Sequence, residues 1–148
     1  MHTYSQLLYQ IIFHTKRNEK TLLKEHRKEM YAYMASIINR QKSFTYEIGG
    51  TSNHVHVIAR IHPDVTISNL VKDIKLSVSK MIKSKNLFPK FDGWQQGYSI
   101  FSYSQKELDI LINYVRNQEQ HHKEESSRDE YKRLLEKHKI DYDERYLF

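Results

Sequence analysis

The chain has no cysteine, two prolines and four glycines in 148 residues. Without cysteine there is no disulfide framework and no thiolate metal site, so any bound metal must take imidazole, carboxylate or amide ligands. So little glycine and proline argues against long loops and disordered linkers. No apolar run approaches the ~20 residues a helix needs to cross a bilayer. The opening Met1-His2-Thr3-Tyr4-Ser5-Gln6 lacks the charged and apolar regions of a secretory signal. The mean hydropathy is −0.77, and the expected location is the cytoplasm. What the chain does have is positive charge, +6 with a pI near 9.4, which favours anionic partners and nucleic acid first among them.

The most informative stretch is Asn53-His54-Val55-His56-Val57-Ile58-Ala59-Arg60-Ile61. Its apolar, β-branched character reads as a strand, and residues two apart on a strand share a face. His54 and His56 therefore stand side by side while Val55, Val57, Ala59 and Ile61 face a core. Two such imidazoles either belong to a divalent-metal site with open positions or occupy a wet strand face, and seven further histidines in the chain weaken any argument from histidine content. Asn53, one position earlier, is expected to point away from the histidine face.

The rest of the chain alternates element types. A strand is expected over 4–14, and a helix over 19–39 carrying Leu23, Met30, Met34, Ile37 and Ile38 at helical spacing. A second strand over 43–48 should have Phe44, Tyr46 and Ile48 on one face, and Gly49-Gly50-Thr51-Ser52 should turn it into the histidine strand. Ile67, Leu70, Val71, Ile74, Val78, Met81 and Ile82 mark a second helix. A fourth strand, broken by Gly97, should run over 94–103. Ser104 and Glu107 form a capping box opening a third helix, with Leu108, Leu111, Ile112 and Val115 on its core face. Ser127 and Glu130 form a second capping box, opening a short helix to about 139. The order β-α-β-β-α-β followed by two helices predicts a single α+β domain over 1–148, a ferredoxin-like antiparallel sheet with helices packed on it. Its core should cover about 1–104, the third helix about 105–122, and the terminal helix and tail about 127–148.

Two further features carry chemistry. In the third helix Tyr114 and Gln118 are four residues apart and share a flank, so a phenol neighbours an amide oxygen able to bind a metal. A lone tyrosine at the edge of an apolar stripe usually just packs its ring and wets its hydroxyl. On the second helix Lys72, Lys75, Ser79 and Lys83 form a polar stripe, with Lys16 and Arg17 in the turn after the first strand. Such a stripe is a solvated face unless nucleic acid is implicated by something else.

These segments, taken together and in order, resemble the single-tyrosine transposases of the HUH nuclease superfamily, which mobilise small insertion sequences as single-stranded DNA. The resemblance runs through Phe13-His14-Thr15-Lys16, His54-Val55-His56, Trp94-Gln95-Gln96-Gly97-Tyr98, Tyr114-Val115-Arg116-Asn117-Gln118 and His121-His122. It implies that Tyr114 is the nucleophile and that His54, His56 and Gln118 hold a divalent metal, Mg²⁺ or Mn²⁺. It also implies a covalent 5′-phosphotyrosine intermediate, single-stranded DNA with hairpins at the element ends as substrate, and a homodimer with a movable tyrosine helix. Lys16, Arg17, Lys72 and Lys75 are the expected phosphate contacts. Many relatives carry Pro-Asp where this chain has Ser52-Asn53. Two other readings stand beside this one: a domesticated protein that binds or nicks hairpin DNA without mobilising an element, and a metallohydrolase that uses water and leaves Tyr114 structural.

Overall fold

The computed structural model describes residues 2–147. Four antiparallel strands form one sheet: β1 (Leu8–His14), β2 (Phe44–Gly50), β3 (His54–Arg60) and β4 (Ser99–Tyr103), in the order β2-β3-β1-β4. The helices are α1 (Arg27–Arg40), α2 (Ile67–Lys85), α3 (Leu108–Arg116), α4 (Gln118–His121) and α5 (Ser127–Lys137). The chain is α+β; three α-helices, not the two expected, follow the fourth strand.

Strand alternation divides the core in two. Ile11 and Phe13 of β1 and Val55, Val57 and Ala59 of β3 turn to one face, where Met30, Met34, Ile37 and Ile38 of α1 and Leu70, Val71, Ile74, Val78 and Ile82 of α2 cover them. α2 stops where Asn86 adopts a left-handed conformation, φ 50°, and its N–H reaches the carbonyls of Ile82 and Lys83. The opposite face carries Leu8, Gln10, Ile12 and His14 of β1 in register with Arg60, Ile58, His56 and His54 of β3. Leu111 and Val115 of α3 pack there on Leu8 and Ile58. Leu134 and Leu135 of α5 pack on Ile12 and Phe101, joined by Leu147 of the C-terminal tail. The sheet is therefore covered on both faces, and its second cover is supplied by the C-terminal helices.

Several boundaries differ from expectation for identifiable reasons. β1 begins at Leu8, and Tyr4 is exposed. α1 begins only at Arg27 because the preceding segment is spent inserting Leu22 into the core; the Leu22 N–H donates to the Ser52 carbonyl at 2.8 Å, and Leu23 is left largely exposed. A bulge between Thr45 and Glu47 shifts the β2 register. Phe44 and Tyr46 stay together with rings 4.9 Å apart, but Ile48 crosses to the α1–α2 side. The fourth strand shortens to 99–103, and Trp94 makes only an isolated bridge to Thr15 on the far side of Gly97, φ 89°. The third helix is not continuous, because it breaks at Asn117 (φ −102°, ψ 23°) before Gln118.

Gly49 and Gly50 belong to β2, and the turn is made by Thr51–Asn53. Gly49 is there because α3 lies against it: a Cβ at this position would sit 2.4 Å from the Val115 carbonyl oxygen and 2.9 Å from its Cγ1. Backbone cannot yield as a flexible side chain does, so this glycine sets how closely the tyrosine-bearing helix approaches the sheet. Gly49→Ala is expected to cost about 1–3 kcal/mol of stability, read as a lowered urea midpoint with faster amide exchange over residues 108–118. An unchanged midpoint would show that the approach is looser than described.

Candidate active site

His54 and His56 are wholly buried, 0% exposed, so the wet-face alternative is excluded: α3, α4 and α5 close over them. Leaving buried imidazole nitrogens unpaired would cost roughly 1–3 kcal/mol each, yet every one of them has a neighbour. On the outer side each Nδ1 meets an amide oxygen: His54 Nδ1 lies 2.7 Å from Asn53 Oδ1, and His56 Nδ1 lies 2.8 Å from Gln10 Oε1. The Gln10 amide is itself oriented, since its Nε2 donates to the Tyr103 hydroxyl at 3.1 Å. An amide oxygen can only accept, so both imidazoles carry their proton on Nδ1 and turn a bare Nε2 inward. This is the tautomer a metal ligand requires.

The Asn53 expectation is corrected here. Asn53 is buried and its side chain folds back onto His54, with Thr51 Oγ1 donating to the same Oδ1 at 3.2 Å. Strand alternation fails at this position because Asn53 precedes β3 and lies in the turn.

Inward of the histidines, electron-pair donors converge. His54 Nε2 is 3.1 Å from Gln118 Oε1, and His56 Nε2 is 3.2 Å from Glu130 Oε1. His122 Nε2 lies 3.0 Å from both of these oxygens. His54, His122 and Glu130 each offer one ligand atom, all within 4.8 Å of one another. Two donors bound at right angles to one ion at about 2.1 Å lie roughly 3 Å apart, so this spacing suits a shared divalent cation. The contact between His54 Nε2 and Gln118 Oε1 points the same way: both are acceptors, and a cation between them is what relieves the opposition. His14 stacks on His54 at 5.4 Å between ring centroids, and burial together with the neighbouring His56 pushes its pKa down to about 3. Burial, His56 and His14 likewise hold His54 well below the usual imidazole range.

Glu130 organises the other half. Its Oε1 faces the histidines, and its Oε2 accepts from the Tyr114 hydroxyl and, at 3.1 Å, from Gln118 Nε2. Burial alone would raise this carboxyl, but the hydrogen bond from His122 and the imidazoles that face it outweigh that and hold the group far below the ordinary carboxylate range. The phenol is driven the opposite way: burial, then the Glu130 charge, push Tyr114 above its usual range. At rest the shared proton therefore stays on tyrosine. For His122, burial lowers basicity, yet the hydrogen bond to Glu130 and its charge win and raise it.

Sequence reasoning missed Glu130 because it assigned this residue to a capping box. The helix instead starts one residue earlier: Ser126 is the N-cap, accepting from the Asp129 N–H at 3.1 Å. That shift releases Glu130 from the helix end and rotates it inward, where it is 2% exposed. An acidic residue one place beyond a competing Ser-x-x-Asp cap was the available signal.

The structure thus brings Tyr114, Gln118, His54 and His56 together within one chain. The four basic residues lie elsewhere, around the 92–98 segment. Arg17 pairs with Asp92 at 2.6 Å, and the Lys16 N–H donates to the Gly93 carbonyl. Lys72 lines a groove of about 460 Å³ beside Gln95–Tyr98. Lys75 is half-buried, its ammonium donating to the Gln95 carbonyl at 2.9 Å and to the Gly97 carbonyl, so it braces the loop.

The family described as "Transposase IS200 like" matches residues 3–118, more than half of the chain. The chain belongs to the IS200-like transposase family. Transposase activity, cleavage and transfer of DNA strands, comes with that membership. Two solved structures share the fold. One, assigned as a transposase of Deinococcus radiodurans R1, is 20% identical with a TM-score of 0.61, covering 80% of this chain and 95% of its own. The other, a REP-associated tyrosine transposase bound to a REP hairpin, is 13% identical with a TM-score of 0.58, covering 79% of this chain and 69% of its own. A search of curated proteins finds no match. No helix among the described residues is long and apolar enough to cross a membrane.

If the two amides set the imidazole tautomers, Asn53→Leu should weaken Mn²⁺ binding about 10- to 100-fold by isothermal titration, while His54→Ala should abolish it. Unaltered affinity in both variants would remove the metal from this site.

Proposed function

We propose that this transposase cleaves and rejoins single-stranded DNA at hairpin-flanked ends, with Tyr114 as the nucleophile and a covalent 5′-phosphotyrosine as the intermediate. The observation that carries this reading is the shared Glu130 carboxylate: one oxygen faces the imidazole Nε2 atoms and the other holds the Tyr114 hydroxyl. A nucleophile and a metal-binding cluster are thereby held at the two ends of one side chain.

His54, His56 and Gln118 would hold Mg²⁺ or Mn²⁺, with Glu130 and His122 within reach as further ligands. When bound, the ion supplies charge neutralisation at a phosphate oxygen. The chain's own residues do the rest. α3 aims Tyr114, and Gln118, four residues on but beyond the break at Asn117, turns toward His54. The Tyr114 proton leaves along its hydrogen bond to Glu130 Oε2 as the Oη–P bond forms. The P–O3′ bond breaks, and the departing 3′-oxygen takes a proton from solvent to become a free hydroxyl. The phosphotyrosine retains the bond energy, so another 3′-hydroxyl can attack it and join new ends without a nucleotide cofactor. A homodimer gripping hairpins through the basic groups near the 92–98 segment completes the proposal, supported by the net charge of +6 and by the hairpin-bound neighbour.

Incubating the chain with Mn²⁺ and a labelled single-stranded hairpin from beside its gene is expected to give a covalent species on denaturing electrophoresis. Tyr114→Phe should abolish it together with strand cleavage. Cleavage that survives Tyr114→Phe would mean a water-using hydrolase, and hairpin binding with no cleavage by the unmodified chain would mean a binding protein.

A further inference from the structure

The proposed chemistry leaves one requirement unmet. Tyr114 is half-buried beside an anion, and both circumstances oppose the negative charge its oxygen must carry when it attacks phosphorus and again when it is displaced during rejoining. A group on the open side of the phenol has to offset that charge.

Arg133 is in that place. It lies on α5 one turn beyond Glu130, so the two side chains share a face. Its Nη2 donates to the Tyr114 hydroxyl oxygen at 3.0 Å, while the phenol's own hydrogen goes to Glu130. The tyrosine oxygen is thus flanked by a carboxylate that accepts its proton and a guanidinium that donates to its lone pair. The guanidinium carbon also stands 5.9 Å from the centre of the Tyr114 ring. Glu125 holds the fork in position by accepting from Nε and Nη2 at 3.2–3.3 Å.

Exposure and spare donors give the arrangement its direction. The Arg133 side chain is 44% exposed and that of Glu130 only 3%, so a phosphodiester has to reach Tyr114 from the arginine side. Among the described residues Nη1 makes no hydrogen bond, whereas Nε and Nη2 are already used. An arginine that touches a nucleophilic oxygen through one nitrogen and keeps another uncommitted can donate from it to one phosphate oxygen.

We infer that Arg133 is a catalytic residue of the strand-transfer reaction: it carries the developing charge on the Tyr114 oxygen through Nη2 and receives a non-bridging oxygen of the scissile phosphate on Nη1. Glu125 is its positioning residue. This role rests on the assignment of Tyr114 as nucleophile. Its guanidinium keeps its charge throughout, so the contribution is electrostatic preorganisation, and the atoms exchanged are those of the tyrosyl transfer already described.

The test is single-turnover adduct formation with Mn²⁺ and the same gene-flanking hairpin oligonucleotide, alongside hairpin affinity and thermal stability. Arg133→Ala should slow adduct formation about 100-fold, in the range for loss of one preorganised donor, with hairpin affinity and melting temperature nearly unchanged. Added ethylguanidinium should restore the rate in Arg133→Ala and leave the unmodified chain unaffected. Arg133→Lys should fall between the two, and Glu125→Gln should show a smaller loss. Adducts at the unmodified rate from Arg133→Ala would overturn the role, as would a loss that follows unfolding or weakened hairpin binding and is not rescued by guanidinium. If the unmodified chain forms no adduct, the tyrosyl-transfer reading falls and this role falls with it.

Discussion

A carboxylate buried among imidazoles is the constraint on which the rest of this structure depends. Glu130 is nearly inaccessible, and an isolated ionised carboxylate there would be prohibitively costly. It is tolerable because the Tyr114 hydroxyl and the Gln118 amide donate to it and the His56 and His122 rings face it. Those partners come from β3, which supplies His56, and from the 114–122 segment, which supplies Tyr114, Gln118 and His122. Removing the carboxylate would leave several buried polar groups facing one another, so the network is satisfied only as a whole.

That dependence explains the architecture around it. β3 supplies the two imidazoles, β1 supplies Gln10 to orient one of them, and the turn before β3 supplies Asn53 to orient the other. α3 can bring Tyr114 in only because Gly49 lets its backbone lie against β2. The break at Asn117 lets Gln118 leave the helical path of α3 and turn toward His54. α5 closes the site from the other side, anchored by Leu134 and Leu135 on the same sheet face as the histidines. The tail segment that carries Leu147 has a plain structural task, since Leu147 joins the apolar cluster beneath α5.

The two faces of the sheet have separate duties. One is a conventional apolar core with α1 and α2, and it fixes the strands in position. The other mixes apolar contact at its ends with a polar centre. This division lets the polar network sit in a dry interior while the apolar clusters on either side of it hold α3 and α5 in place. The family match ends at residue 118, so α5, which brings Glu130 and Arg133, lies beyond the matched segment.

Much of this was legible in the sequence. Alternation in 54–61 put His54 and His56 on one face, because the period of a strand is local and regular. Helical spacing located the core faces of α1 and α2, and the i, i+4 relation put Tyr114 beside Gln118. What only the tertiary structure decided was everything that depends on contacts distant along the chain. Gly49 and Gly50 read as a turn because glycine favours turns, whereas both lie in β2, where Gly49 packs against Val115 and Gly50 against the His54 carbonyl. Asn53 read as pointing away because alternation was extended one residue past the strand. Glu130 read as a cap because the local pattern Ser-x-x-Glu is a sound cap; the overlapping Ser126-x-x-Asp129 cap competes with it, and the fold decides between the two. Local periodicity determines which way a side chain faces; the histidines' burial, their tautomers and the carboxylate that joins them to Tyr114 arise from segments up to 76 positions apart (54 to 130), which only the folded chain brings together.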